Sequence, residues 1–233
     1  MIKVRKVVVF IITKRELLKK LECSKYPIAF TGNGLSSLSG VPSFDIKFSG
    51  VPIYEILSLE FYTHKRENFF QAFLEFFEWT KLSPNTIHLA LSKLNIPVIT
   101  ENIDGLHTKA KNSNIIELHG NLLYFRCSKC EYIETTNRIL NTYLENGKDE
   151  IWDLRCPSCG LNMRPKLVLK GENINLFHVA LNEIYKADLL LVLGNKLEAW
   201  PANKLVTKAK SQGCNILQIT ELNENLFDFN EFS

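Results

Sequence analysis

The chain has 233 residues, 45% of them apolar and 23% charged, enough to bury a sizeable core and far from the composition of a disordered, collagenous or low-complexity polypeptide. A net charge of +3 leaves no electrostatic footprint for a dedicated nucleic-acid binder. The longest apolar runs, Val7 to Ile12 and Leu189 to Leu193, fall far short of the roughly 20 residues of a membrane span, so no transmembrane helix is expected.

At the start, Met1 to Lys6 followed by Val7 to Ile12 mimics a secretory leader, but the apolar stretch is short and no small-residue cleavage site follows it; a cytoplasmic location is expected. Thr13 with Glu16 three residues on is a capping box, and Leu17, Leu18 and Leu21 behind it predict an amphipathic helix ending near Ser24. Pro27 to Thr31 reads as a short buried strand running into Gly32-Asn33-Gly34. Glycines there let the backbone approach a pyrophosphate, and a helix starting around Ser36 to Ser39 would aim its positive end at that charge. Residues 48–82 carry Phe69, Phe70, Phe73, Phe76, Phe77 and Trp79 at roughly helical spacing, which predicts a helical module or lid, or else a helix packed on the sheet.

A helix over Thr86 to Leu94 leads to a strand at Ile96 to Thr100, whose end bears Asn102 and Asp104. Loops at the carboxyl ends of parallel strands collect ligand groups, and an amide beside a carboxylate suits a carboxamide; Asp104 as a helix cap is the alternative. His119 stands at the end of the next strand, around Ile115-Ile116, and imidazole titrates near working pH, as a general base requires. Residues 122–162 turn polar, in the manner of an insertion. Helices at Phe177 to Lys186 and Pro201 to Gln212 then alternate with strands at Leu189 to Leu193 and Asn215 to Ile219. The alternation predicts an α/β fold, a Rossmann-like parallel sheet with helices on both faces. That sheet domain is assigned residues 1–47, 83–121 and 163–233, with a helical module at 48–82 and a zinc-binding module at 122–162.

The zinc assignment rests on Cys127-Ser-Lys-Cys130, 25 intervening residues, and Cys156-Pro-Ser-Cys159-Gly160. Two thiolate pairs on short turns complete a tetrahedral site for one structural zinc ion, and an all-sulfur shell is closed to substrate; a redox pair is the alternative. Cys23 and Cys214 remain, read as buried thiols.

Taken in order, Thr31-Gly-Asn-Gly-Leu with Val41-Pro-Ser-Phe44, Thr100-Glu-Asn-Ile-Asp104-Gly-Leu-His107, Glu117-Leu-His-Gly120, the cysteine pairs, Arg164-Pro165 with Gly171-Glu172, and Leu193-Gly194 with Pro201-Ala202 resemble the sirtuin family of NAD-dependent protein deacylases. The resemblance spans about Lys14 to Glu221. It implies transfer of an acyl group from an acyl-lysine protein or peptide to ADP-ribose, with release of nicotinamide. It implies NAD contacts from Gly32, Asn33, Gly34, Ser36, Phe44, Glu101, Asn102, Ile103, Asp104, Gly194, Asn195, Lys196 and Thr220. It favours His119 as the base, with Asn102 beside it, places the acyl-lysine against Val168, Leu169, Lys170 and Gly171, and leaves His107 an architectural role. An apolar lid around Phe44 would keep water from a reactive intermediate.

Several positions depart from the family pattern. Asn33 replaces the alanine of Gly-Ala-Gly, Asp45 the arginine that usually follows Phe44, and Glu101 the usual glutamine, while Lys170 and Lys196 bring cations and Thr220 stands where an asparagine is common. Charge reversal at Asp45 opposite a phosphate would cost several kcal/mol before screening, and Lys196 would offset it unless it is merely solvated. These changes leave ADP-ribosyl transfer, NAD hydrolysis or a non-catalytic binding module as alternatives. The sequence gives no oligomeric state.

Overall fold

A computed structural model describes residues 12–145, 151–195, 197 and 200–229. Thr13 caps the first helix, α1 (Lys14–Cys23): its Oγ1 accepts from the Glu16 amide at 3.3 Å while the Glu16 carboxylate accepts from the Thr13 amide at 2.9 Å. Strand β1 (Pro27–Thr31) follows, then α2 (Asn33–Ser37), a hairpin of β2 (Lys47–Phe48) and β3 (Val51–Pro52), and the helices α3 (Ile53–Ile56), α4 (Leu59–His64) and α5 (Arg66–Phe77). Helix α6 (Thr86–Lys93) precedes β4 (Val98–Thr100), α7 (Leu106–Lys109) and β5 (Ile115–Glu117). Next come β6 (Gly120–Cys127), β7 (Ile133–Thr135), α8 (Thr136–Glu145) and β8 (Met163–Leu167), then α9 (Phe177–Ile184), β9 (Leu189–Leu193), α10 (Ala202–Ser211) and β10 (Asn215–Ile219).

Five strands pair in parallel in the order β10-β9-β1-β4-β5. Along β9 alternate side chains enter opposite layers. Leu190 and Val192 pack with Ile28, Phe30 and Leu205 on one face, and Leu189, Leu191 and Leu193 with Leu17, Ala29 and Ile87 on the other. Burial on both faces is why β9 reads as an unbroken leucine-valine run rather than as an alternating one, and each such side chain contributes roughly 1.5–3 kcal/mol.

The second half of the molecule is a three-stranded antiparallel sheet, β7-β6-β8, joined to the helical segment by one apolar core. Phe70 stacks on Phe125 with ring centroids 6.2 Å apart, and Phe73 meets Phe125 edge-on at 5.3 Å. The aromatic residues of α5 therefore pack against the cysteine-bearing sheet. The sequence places residues 163–167 in the parallel-sheet domain, but β8 pairs with β6, because these residues bury Met163, Pro165 and Leu167 on alternate positions as a half-exposed antiparallel strand does.

Two other expectations change. Helix α2 begins at Asn33, not around Ser36 to Ser39, and is a single short turn, so little dipole accumulates there. Cys23, on the last turn of α1, is exposed rather than buried; Cys214 is buried.

The chain returns from β5 to the small sheet through Gly120, at φ +69°, where a Cβ would lie 1.9 Å from the Lys166 carbonyl oxygen. No side chain fits, so Gly120→Ala is expected to cost at least about 2–3 kcal/mol from the left-handed backbone and the clash together, lowering the melting temperature by about 5–10 °C. Calorimetry of the variant measures this; an unchanged melting temperature would refute the account.

Candidate active site

β1 and β4 end side by side, and the residues that follow them build a buried polar knot. Thr31 Oγ1 donates to Thr100 Oγ1 at 2.8 Å, and the Asn102 amide donates to Thr100 Oγ1 at 3.0 Å. Asn102, 4% exposed, donates from Nδ2 to the Gly32 carbonyl at 3.0 Å and to Ser36 Oγ at 2.8 Å, and Ser36 passes its own proton on to Asp104 Oδ2 at 2.6 Å. With both donors used, Asn102 Oδ1 is left without a partner. Burial raises the Asp104 carboxyl above its usual range against the pull of these hydrogen bonds. Its Oδ1 accepts from the Leu106 amide at 2.8 Å, so Asp104 ties down the first amide of α7, whose N-cap is Gly105, while also holding Ser36.

Gly32 and Gly34 also serve a purpose that their spacing did not disclose. A Cβ on Gly32 would lie 2.8 Å from Asn195 Nδ2, and one on Gly34 would lie 2.8 Å from the Gly194 carbonyl. Their missing side chains admit the loop after β9, and the Gly34 amide donates to the Gly194 carbonyl at 3.0 Å. Asn33 donates to the Pro42 carbonyl at 3.2 Å, tying the turn to the segment that carries Phe44.

Beside this knot lies a cleft of about 370 Å³ between the two halves of the molecule. It gathers Phe44, Glu101, Ile103, His119, Val168, Leu169, Lys170 and Gly171. It also recruits Tyr54, Leu57, Ile174 and Trp200, which the sequence reading missed; Tyr54 and Trp200 are 58% and 54% exposed, and nothing in their spacing marks an aromatic ring held at a rim. His119 Nε2 lies 3.9 Å from Glu101 Oε1. Burial lowers the His119 pKa and raises that of Glu101, whose carboxylate also accepts from Asn195 Nδ2.

The wall from Val168 to Gly171 is held at both ends. The Val168 amide donates to the His119 carbonyl at 2.9 Å, and the Lys170 backbone bonds to Leu57 and Leu59 at 2.8 and 2.9 Å. Arg164 forks onto Glu172 at 2.7 and 2.6 Å, and Glu172 also accepts from the Leu169 amide at 2.8 Å. Burial alone would raise the Glu172 pKa, but these bonds hold it below the usual range. Arg164 and Glu172 thus shape the wall, a role the motif alone did not disclose. Lys170 extends over the Tyr54 ring, with Nζ 5.5 Å from its centroid. Asp45 is exposed and turned to Ser43 at 3.2 Å, Thr220 is exposed after β10, and Lys196 lies outside the described residues.

Behind the knot, His107 Nε2 sits 3.0 Å from Thr31 Oγ1 and its ring lies 4.6 Å from that of His88. This is an architectural placement. Burial holds the His88 pKa down at about 2 and that of His107 at about 4. Unfolded, both bind protons near 6.5, so their stabilising neutrality is complete above that pH and is lost as pH falls toward 4. Glu101, Asp104 and Glu117, all raised by burial, act in the opposite sense. Comparison with His88→Leu cancels their share: between pH 7 and pH 5 the unsubstituted protein is expected to lose about 2 kcal/mol more than the variant. Parallel thermal melts at the two pH values check this, and equal losses would contradict it.

Cys127, Cys130, Cys156 and Cys159 converge at the tip of the small sheet, their four Sγ atoms within 4.8 Å of one another. The Cys127 sulfur also accepts from the Lys129 and Cys130 amides at 3.4 and 3.5 Å, the short-turn geometry that orients a thiolate toward a metal. Sulfurs at this spacing fit one zinc ion with Zn–S near 2.3 Å.

A model of the Sir2 family matches residues 32–201. A protein of Caldivirga maquilingensis named NAD-dependent protein deacetylase is 35% identical over 207 residues, covering 85% of this chain and 79% of its own. An NAD-dependent protein deacylase of Pyrococcus furiosus is 33% identical over 224 residues, covering 88% and 85%. Among solved structures, Sir2Tm bound to a propionylated peptide superposes with a TM-score of 0.77 at 28% identity over 95% of this chain and 91% of that one, and a Sir2–p53 peptide–NAD+ complex with 0.78 at 29% over 95% and 91%.

Proposed function

This chain belongs to the Sir2 family, and from that premise we infer that it is an NAD-dependent protein deacylase acting on acyl-lysine proteins or peptides, with one structural zinc. The observation that carries the site assignment is Asn102. It is fixed by two donated hydrogen bonds and keeps a buried, unpartnered acceptor between Glu101 and Ile103, two residues that line the cleft. An orphaned acceptor costs about 1–3 kcal/mol, which an incoming carboxamide or hydroxyl donor restores, so the residues present fit NAD.

NAD, when bound, supplies the glycosidic bond that is cleaved and the ADP-ribose that takes the acyl group. Asn102 Oδ1 orients the reacting end, with Ser36 and Asp104 holding the amide in place. His119 accepts a proton from a ribose hydroxyl. Phe44, Ile103 and Leu169 line the cleft with apolar surface and exclude water from it. Val168 to Gly171, pinned by Arg164 and Glu172, receives the acyl-lysine. The NAD contacts extend to Gly32, Asn33, Gly34, Gly194, Asn195, Lys196 and Thr220. No described helix is long and apolar enough to cross a membrane, and we place the protein in the cytoplasm, where four thiolates stay reduced and available to zinc.

Incubation with NAD and a pool of acyl-lysine peptides, followed by mass spectrometry, tests the reading. Acyl-ADP-ribose is the expected product; free or protein-bound ADP-ribose alone would replace deacylation by hydrolysis or ADP-ribosyl transfer, and neither product would leave a binding module. The exposed, Ser43-bonded Asp45 is too well screened to abolish NAD binding, contrary to the estimate from its charge alone. Asp45→Arg is expected to strengthen NAD binding by no more than about fivefold, the scale of a surface ion pair, as read by calorimetry. A hundredfold gain would show that Asp45 faces the phosphates directly.

A further inference from the structure

His119 faces an anion where the family pattern has a neutral amide. Its Nε2 is 3.9 Å from Glu101 Oε1, and both side chains are largely shielded, at 31% and 21% exposed. The gap exceeds a direct hydrogen bond and lies within the range over which an opposite charge favours the charged form of its neighbour. The Glu101 carboxylate is itself anchored by Asn195 Nδ2, so it is aimed rather than free to swing. The other charged groups around the ring are engaged or set apart. Glu172 is forked by Arg164, Glu117 accepts from Asn121, Asp104 holds Ser36 and the Leu106 amide, and Lys170 lies over Tyr54.

We propose that Glu101 is a positioning residue that acts through His119, its carboxylate stabilising the imidazolium formed when His119 takes a proton and so setting the pH range over which the base works. When a ribose hydroxyl gives up its proton, the O–H bond breaks, an Nε2–H bond forms and the electron pair stays on oxygen. The positive charge created on the ring then faces an ionised carboxylate. An opposite charge at this distance favours the charged form, against the burial that depresses the His119 pKa. The inference rests on the deacylase reading only for the identity of the hydroxyl; the pairing itself belongs to the protein without NAD.

The test is a titration of the histidine ring protons by NMR on the zinc-loaded full chain without NAD, the His119 signal being assigned by its loss in His119→Ala. Glu101→Gln restores the residue usual in the family and keeps the shape, so it isolates the charge; Glu101→Ser serves as a second variant. The His119 pKa is expected to fall by roughly one unit in both variants, and the acid limb of kcat/KM to move to lower pH by a similar amount. A His119 pKa unchanged within about 0.3 units overturns the proposal whatever the turnover. A shifted pKa in a protein that deacylates no peptide sustains the pairing and removes the deacylase reading instead.

Discussion

His119→Ala is expected to lower deacylation turnover by on the order of 10²-fold or more while NAD affinity stays within about twofold. The contrast follows from where the residue stands. Its ring reaches the cleft from the end of β5 and faces Glu101, and it takes no part in the hydrogen bonds of Asn102, Ser36 and Asp104, so removing it deletes a proton acceptor without disturbing the knot that orients the ligand. An alanine in its place leaves the backbone bond from Val168 to residue 119 intact, and the acyl wall keeps its position. Single-turnover kinetics and calorimetry on the same preparation separate the two effects. Near-normal turnover would mean that another group, with Glu101 the nearest, carries the proton.

Removing the zinc is expected to unfold the small sheet rather than to silence any catalytic group. Structural zinc in small zinc-binding modules contributes roughly 10–16 kcal/mol of apparent binding free energy at neutral pH, comparable with the whole stability of an ordinary domain. Cys127 and Cys156 are buried in the same cluster as Phe125, Ile139 and Met163, which continues into Phe70 and Phe73 of α5. Loss of the ion should therefore reach the helical segment as well. A strong chelator under reducing conditions is expected to abolish the near-ultraviolet dichroism of the aromatic cluster and lower the melting temperature, with recovery on adding zinc. Metal analysis well below one zinc per chain in a reduced preparation, or full metal content in Cys156→Ser, would refute the assignment.

What was legible beforehand follows periodicity and spacing. Strands β1 and β9 lie where their apolar runs do, because burial on both faces leaves little room for polar residues; β10 is a half-exposed edge strand, and the capping box at Thr13 marks the start of α1 to the residue. The cysteine pairs were readable because tetrahedral coordination forces their spacing. What escaped was set by contacts between distant segments. β8 joins the small sheet through pairing with β6, and the glycines at 32 and 34 answer to a loop more than 150 residues further on. Tyr54 and Trp200 came to the cleft only through packing. Arg164 and Glu172 were visible as residues, yet their fork onto the acyl wall needed coordinates.

The crossing at His119 and Gly120 has a mechanical consequence. There the chain leaves the parallel sheet for the small one, and the return path at Leu167 and Val168 runs alongside it: Gly120 is paired with Leu167, and the Val168 amide bonds to the His119 carbonyl. The aromatic core shared by α5 and β6 welds the whole small half into one body. The acyl wall and the imidazole therefore hang from one doubled crossing, and a shift of either strand there would carry both together.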